Sequence, residues 1–253
     1  MFSTVHLIWL TISLIIIFIS LKTIKDRSVT LDKLLTVACV ICIVSEVIKV
    51  FSSMQLVPSA DGTTMYPYML PQHLPFHLCS IQIIIIFYVK FTKNTRVREL
   101  LLAFLYPTCI IGAVLALIMP SIFTGGTLEL TQAFTHPLAY QYFLYHSMLI
   151  ILGTGVIVTK EVDIRRKHYF TTIGILGILA FISVYLNSML ADPTYVSGEL
   201  MHVDYTPNFF FTVKLPFDIV YTEIWQWYLY FGFIVIAAII IIALFYLPFF
   251  RKK

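Results

Sequence analysis

Seven long apolar stretches dominate the pattern of hydrophobic and polar positions along the chain. Each is close to the 20 or so residues that a helix needs to cross a bilayer. The stretches cover about residues 4–22, 31–53, 73–92, 98–119, 138–159, 168–190 and 225–250. The pattern predicts an all-α polytopic membrane protein with seven transmembrane helices. No internal repeat or linker divides residues 1–253, so we expect a single domain.

The basic residues indicate an orientation for these helices. All but two of the 17 Lys and Arg residues lie in or beside the first, third and fifth links or at the C-terminus. The exceptions are Lys49, within the second stretch, and Lys214, in the last link. Because basic links face the cytoplasm, we expect the N-terminus outside and the C-terminus in the cytoplasm. The expected location is the cell membrane, crossed several times.

Composition agrees with lipid as the main solvent. Of the 253 residues, 59% are hydrophobic and 12% are charged, whereas a typical soluble domain has about 25% charged residues. The basic links account for the net charge of +4. No basic stripe with interleaved aromatic residues and no Gly-rich phosphate loop appears. We therefore expect no nucleic-acid partner.

Polar side chains occur at one depth in four of the predicted helices. With the orientation above, the following lie toward the outer side: Glu46, Lys49, His73, His77, Cys79, Gln82, Gln141, His146, Ser183 and Asn187. Ionisable groups in hydrocarbon are costly, face the bundle interior and often serve function. Each could instead satisfy a neighbour, as Glu46 and Lys49 could at i, i+3. The agreement between four helices favours a polar cavity that opens toward the outer leaflet.

A metal site is one possible use of the histidines. His73 and His77 are four residues apart, a spacing that lets two histidines on one helical face bind zinc. His136 and His202, in outer links, could add ligands. No carboxylate motif follows, however, and a structural role near the membrane interface suits His73 better. We therefore expect no metal and no other cofactor.

Cys79 is the cysteine whose position and neighbours suggest a chemical role. The other three, Cys39, Cys42 and Cys109, lie deep in apolar stretches, where a thiol behaves as a small hydrophobe. Cys79 is shallow and close to histidines, so it is a candidate nucleophile, with a packed thiol as the alternative.

His146 is the predicted partner of this thiol. On one continuous helix, two residues correspond to about 200° of rotation, so His77 would point away from Cys79. His146 belongs to another helix at matching depth and shares a face with Tyr142, four residues earlier. The spacing therefore favours a Cys79–His146 pair in the polar cavity.

Several short segments resemble the YwaF-like family of integral membrane proteins. The clearest is LPFHLCS, which resembles the family signature LPLHLC. The resembling segments are LPFHLCS (74–80), YQYFLYHSMLI (140–150), YLNSML (185–190), PNFFFTVKLP (207–216), WQWYLY (225–230) and LFYLPFF (244–250). Two departures stand out. About 15 residues around Asp192–Thr206 look like an insertion, and the cysteine often found after FFF is missing.

The resemblance implies an activity that the residues alone do not. Animal relatives of the family are described as acyltransferases that move a polyunsaturated acyl chain between phospholipids through a cysteine thioester. A more distant similarity is to the androgen-induced-gene membrane hydrolases, which pair a threonine with a histidine. By the resemblance, the nucleophile falls on Cys79 and its histidine on His146. The family's two asparagines fall on Asn187 and Asn208.

We therefore expect an enzyme, a lipid acyltransferase or hydrolase that takes an acyl chain from a lipid ester onto Cys79. His146 would act as base and then as acid. Asn187 or Asn208 would bind the oxyanion, with His77 in a supporting role. The expected partners are a phospholipid or lysophospholipid and the membrane.

Two other classes remain open. A transporter or binding protein would use Glu46, Lys49 and the histidines as a substrate or proton path. A non-catalytic subunit of another membrane protein would need none of these residues for chemistry. An acyl–protein adduct would favour the enzyme, and substrate-dependent uptake would favour the transporter.

Labelling of introduced cysteines tests the predicted orientation. An impermeant thiol reagent added to intact cells should modify a cysteine at Asp61 or Gly125, because both lie in outer links. A cysteine at Asn94, in a basic link, should stay unmodified. Labelling of Asn94→Cys from outside would show that the predicted orientation is wrong.

Overall fold

A computed structural model describes residues 2–59, 61–124, 128–196, 199–205, 207–214 and 221–250. The helices are α1 (Thr4–Asp26), α2 (Leu31–Ser53), α3 (Leu78–Phe91), α4 (Thr95–Ile118), α5 (Ser121–Thr124), α6 (Pro137–Val158), α7 (Arg166–Met189) and α8 (Ile224–Tyr246). The antiparallel strand pairs are β1 (Met54–Pro58) with β2 (Met65–Met69), and β3 (Asp192–Val196) with β4 (Glu199–Tyr205). Short 3-10 turns cover Pro71–His73, Leu130–Gln132, Phe209–Phe211 and Leu247–Phe249.

The seven predicted spans are confirmed. Within the described residues, seven helices are long and apolar enough to cross a membrane, and the four-residue α5 is not among them. The two hairpins follow α2 and α7 and were not predicted. The orientation stays a prediction, and four positions used to argue or test it, Gly125, Arg251, Lys252 and Lys253, lie outside the described residues.

The chain forms two compact units. One contains Met1–Met69 and Cys79–Asp163, which hold five of the spanning helices. The other contains Leu70–Leu78 and Ile164–Lys253, with α7, α8 and the hairpin between them. The expectation of a single domain stays a prediction.

The beginning of α3 corrects the sequence analysis. The helix begins at Leu78 rather than near residue 73, because Leu74 is extended (φ −64°, ψ 150°) before Pro75, whose ring disfavours α-helical backbone in the preceding residue. His73 ends a 3-10 turn and His77 lies just before α3. The prediction that they share a helical face is therefore wrong, as is the rotation that separated His77 from Cys79.

α6 is the centre of the first unit and packs against α1, α2 and α4. Two glycines permit this packing. A Cβ atom at Gly153 would lie 2.9 Å from the carbonyl oxygen of Tyr106 on α4, and one at Gly155 would lie 2.8 Å from Leu34 Cδ1 on α2. Small residues let helices approach closely in lipid, where apolar burial between helices contributes little.

Aromatic packing fixes α1 against the beginning of α6. The rings of Trp9 and Phe143 stack with 4.8 Å between centroids, and the Trp9 indole N–H donates to the Ala133 carbonyl at 3.1 Å. His6 Nε2 lies 2.8 Å from the Leu117 carbonyl oxygen at the end of α4. Ring packing and hydrogen bonds therefore hold α1, the end of α4 and the first two turns of α6 together.

In the second unit, α7 packs against α8. The Thr172 and Tyr246 hydroxyls lie 3.0 Å apart in a buried contact. The link between the two helices includes residues 207–214, which contain the predicted residue Asn208 and contact Asn187 on α7.

Substitution of Gly153 tests the close approach of α4 and α6. Gly153→Ala should lower stability by about 1–3 kcal/mol, because the new methyl group meets a backbone carbonyl that cannot move independently. Gly174→Ala on α7 is the matched control, since no atom lies within 4 Å of a Cβ there. It should be neutral or stabilising by up to about 1 kcal/mol. Thermal unfolding in detergent measures both, and equal shifts would contradict the packing described.

Candidate functional site

Cys79 is the second residue of α3 and is a free, partly buried thiol. Its position in the first helical turn follows from the late beginning of the helix. Backbone N–H groups of a first turn have no partners within the helix and carry partial positive charge. These groups offset part of the cost of placing a negative charge in the buried surroundings of Cys79.

Tyr145 ties α6 to the beginning of α3. Its hydroxyl donates to the Cys79 carbonyl oxygen at 2.7 Å. His146 is the next residue on α6, and its ring packs edge to face against the Tyr145 ring, with 5.5 Å between centroids. The structure therefore brings the helices of the predicted pair, Cys79 and His146, together through the residue beside the histidine.

His146 has a defined tautomer. The side chain is only 7% exposed, and Nδ1 lies 2.6 Å from the Tyr142 carbonyl oxygen. A carbonyl can only accept, so Nδ1 must carry the proton. In the neutral ring, Nε2 then has the lone pair and is the basic nitrogen.

Tyr142 supports the same ring. Its own ring lies 4.4 Å from that of His146 between centroids, and its hydroxyl donates to the Ala116 carbonyl on α4 at 2.9 Å. The histidine is thus held by the Tyr142 carbonyl and by the rings of Tyr142 and Tyr145, which both precede it on α6. Tyr142 was predicted for the polar cavity from its spacing to His146, and it lies against that residue.

Gln82 lies one turn after Cys79 on α3 and is fully buried. Its Nε2 donates to the Thr108 hydroxyl at 2.8 Å, and that hydroxyl donates to the Phe104 carbonyl at 2.6 Å. Because the Thr108 hydroxyl donates its proton to the Phe104 carbonyl, it must accept from Gln82. The Gln82 amide therefore faces Thr108 with its nitrogen and not with its oxygen. Gln82 Oε1 is then left without a hydrogen-bond partner among the described residues.

Glu46 and Lys49 form an ion pair within α2, with 2.8 Å between nitrogen and oxygen. This i, i+3 contact is the alternative given in the sequence analysis, in which the two residues only satisfy each other. The adjacent Ser45 hydroxyl accepts from Gln141 on α6 at 2.6 Å. The two residues predicted on α2 therefore contact each other, and the neighbouring Ser45, which was not predicted, contacts α6.

Asn187 braces the loop of residues 207–214 in the second unit. Its amide nitrogen donates to the Phe209 carbonyl at 3.2 Å and to the Thr212 hydroxyl at 2.8 Å. Its amide oxygen accepts from the Phe209 N–H at 2.9 Å. The side chain thus holds both ends of one turn.

Asn208 does the same for the following turn. Its amide oxygen accepts from the N–H groups of Val213 and Lys214 at 3.1 and 3.3 Å, and its nitrogen donates to the Lys214 carbonyl at 2.6 Å. Both asparagines therefore have a role in loop structure. The oxyanion role expected for them stays a prediction.

The loop has an unusual backbone that these contacts maintain. Phe210 and Phe211 have φ angles of 57° and 54°, a left-handed conformation that bulky residues avoid. The indole N–H of Trp227 donates to the Thr212 carbonyl at 2.9 Å, and the Tyr230 hydroxyl donates to the Phe211 carbonyl.

Segment 70–78 also reaches this loop. The Phe209 ring is fully buried and meets the His77 ring edge to face, with 4.9 Å between centroids. His77 Nε2 lies 3.2 Å from the Gln72 carbonyl oxygen. His73 lies in the 3-10 turn of the same segment.

Sequence reasoning missed several residues of these networks, namely Tyr145, Thr108, Thr212 and Trp227. Tyr145 lies beside His146 in a quoted motif, but nothing in the sequence separates it from the other 14 tyrosines. Thr108 and Thr212 have no pattern signal, because their partners are distant in the chain.

Comparison with known proteins finds one matching family model. The family model described as the TMEM164 family matches residues 1–246. No curated protein and no solved structure matches the chain. The finer resemblance to YwaF-like proteins stays a prediction.

Asn187→Ala tests the brace on the 207–214 loop. The variant leaves the buried N–H of Phe209 without its side-chain partner and removes one of the donors to the Phe209 carbonyl, so stability should fall by about 1–3 kcal/mol. Proteolysis within 207–214 should become faster. Ser188→Ala, an exposed neighbour on α7, should change stability by less than about 0.5 kcal/mol. The brace is refuted if both variants unfold and digest alike.

Proposed function

The chain belongs to the TMEM164 family, and we propose that this multi-pass membrane protein is an acyltransferase that carries an acyl chain on Cys79. The observation that supports the proposal most directly is the hydrogen bond from His146 Nδ1 to the Tyr142 carbonyl. It makes Nε2 the basic nitrogen of the neutral ring, on the helix that Tyr145 ties to Cys79. The proposed substrates are a phospholipid donor and a lysolipid acceptor in the cell membrane.

In the first step, His146 Nε2 removes the thiol proton of Cys79. The thiolate attacks the ester carbonyl carbon of the donor and forms a tetrahedral intermediate. As the intermediate collapses, the carbon–oxygen bond of the ester breaks, and His146 returns its proton to the departing alkoxide. The products are a thioester on Cys79 and a lysolipid.

In the second step, His146 Nε2 removes a proton from the hydroxyl group of an acceptor lysolipid. The resulting oxygen nucleophile attacks the thioester carbonyl carbon, and the carbon–sulfur bond breaks. The thiolate takes back the proton from His146, which regenerates the starting pair. Water in place of the acceptor hydroxyl gives hydrolysis, so exclusion of water decides between transfer and hydrolysis.

The first turn of α3 contributes electrostatics to both steps. Its N–H groups favour the thiolate of Cys79 and are suitable donors to an oxyanion formed beside it. Gln82, one turn further along, would offer its unpaired Oε1 to a hydroxyl group or water.

A transport or binding function is the second candidate. The Glu46–Lys49 ion pair within α2 favours it, since charged groups in membrane spans often line a substrate or ion path. In that case Cys79 would be a packed thiol, and its replacement would leave transport unchanged.

Acylation of Cys79 tests the enzyme directly. Purified full-length protein is incubated with phosphatidylcholine labelled in its acyl chains, and hydroxylamine-sensitive label on the protein is measured. Cys79→Ala should lose the adduct with little change in thermal stability. His146→Ala should slow its formation by about 10²–10⁴-fold, the usual contribution of a general base.

Two controls separate chemistry from folding. Cys39→Ala replaces a buried thiol on α2 and should keep the adduct. His77→Ala removes a ring that packs on Phe209 and should reduce acylation less than His146→Ala does. Full acyl exchange by Cys79→Ala would refute the proposal and favour the transport or binding function that involves the ion pair on α2.

A further inference from the structure

The β1–β2 hairpin has two faces of different chemistry. Residues opposite each other in an antiparallel pair share a face, and neighbours along a strand alternate. The register pairs Met54 with Met69, Leu56 with Pro67 and Pro58 with Met65, so one face consists only of methionine, leucine and proline. The other face carries Gln55, Val57, Tyr66 and Tyr68.

The described residues leave most of the apolar face uncovered. All strand residues except Met69 are exposed, and Leu56 and Met65 are 67% and 55% exposed. A two-stranded hairpin without a packed face is at best marginally stable in water. The hairpin therefore requires a surface against which its apolar face can rest.

The neighbouring elements point to lipid as that surface. β1 begins at Met54, directly after α2 ends at Ser53, so the hairpin continues a spanning helix without a linker. The last turn of that helix exposes Phe51, which is 82% accessible and lies where the helix meets the hairpin. Tyrosines on the opposite face suit the boundary between headgroups and water.

Charge is confined to the tip of the hairpin. Neither strand contains Asp, Glu, Lys or Arg, whereas β3 and β4 begin with Asp192 and Glu199. At the tip, hydrogen bonds from the Ser59 hydroxyl and the Thr63 N–H lower the pKa of Asp61 to about 2. The tip therefore remains ionised, and it has to stay in water.

We propose that the β1–β2 hairpin lies on the membrane surface, with its Met, Leu and Pro face in the acyl-chain boundary and its Asp61 tip in water. This docking onto lipid is independent of the acyl-transfer chemistry proposed for Cys79. It gives the link between α2 and α3 a fixed position at the interface through contact with phospholipid rather than with protein.

Quenching of a site-specific fluorophore tests the docking. An environment-sensitive fluorescent amino acid is placed at Leu56 or at Thr63 in the full chain, which is reconstituted in phosphatidylcholine vesicles. The Leu56 probe should be quenched by phosphatidylcholine brominated in its acyl chains and protected from aqueous iodide. The Thr63 probe should show the opposite pattern. Iodide quenching at Leu56 equal to that at Thr63 would overturn the proposal.

A matched pair of substitutions keeps the test specific to one face. With the probe at Met65, Leu56→Asp should increase iodide quenching, because it places a charge on the apolar face. Gln55→Asp, on the opposite face of the same strand, should leave the quenching at Met65 unchanged. If the Leu56 probe is protected from both quenchers and cross-links to another copy, a second chain covers the face and the lipid proposal is wrong.

Discussion

The close contact of α4 with α6 at Gly153 is the constraint on which the arrangement around His146 depends. His146 and Gly153 are seven residues apart, about two helical turns, so they lie on nearly the same side of α6. Tyr142, four residues before His146, reaches the same neighbour through its bond to Ala116 on α4. Any rotation of α6 would move the histidine, its supporting tyrosine and the glycine contact together. The packing of two helices thereby sets the direction of one imidazole ring.

The partner of His146 Nδ1 also shapes its chemistry. In many hydrolases a carboxylate holds this nitrogen and stabilises the charged ring that forms when the histidine takes a proton. Here a neutral backbone carbonyl holds it, so the orientation is fixed with less stabilisation of the charge. A thiol is more acidic than a serine hydroxyl and asks less of its base. A cysteine nucleophile is thus the one that suits a histidine supported in this way.

The spanning helices could be predicted because their signal is local: each is a run of apolar residues of the right length. The later beginning of α3 also has a local signal, since Pro75 disfavours helical backbone at Leu74, but the apolar run that predicts the helix extends back past it. The β1–β2 hairpin also had a signal, since Asp61-Gly62 lies between two strands of alternating character. Both features therefore depend on signals that lie within a few residues in the chain.

The 207–214 loop could not have been predicted in the same way. Left-handed backbone at Phe210 and Phe211 is contrary to the preference of both residues. It exists because Asn187, Trp227 and Tyr230 bind its backbone from two helices. The tautomer of His146 and the fixed amide of Gln82 likewise depend on carbonyls of other turns or helices. For Gln82 the determining contact is tertiary, with Thr108 on α4, whereas for His146 it is a carbonyl one turn earlier on α6.

The packing of His77 on Phe209 has a consequence for biosynthesis. Membrane proteins emerge from the ribosome in chain order, and earlier parts begin to fold first. Segment 70–78 is made early, but its contact Phe209 belongs to the link before α8. The residues directly before Cys79 therefore cannot take their final places until that link has been synthesised. A chain that stalls or is truncated before residue 209 would carry the cysteine without the mature environment of its preceding segment.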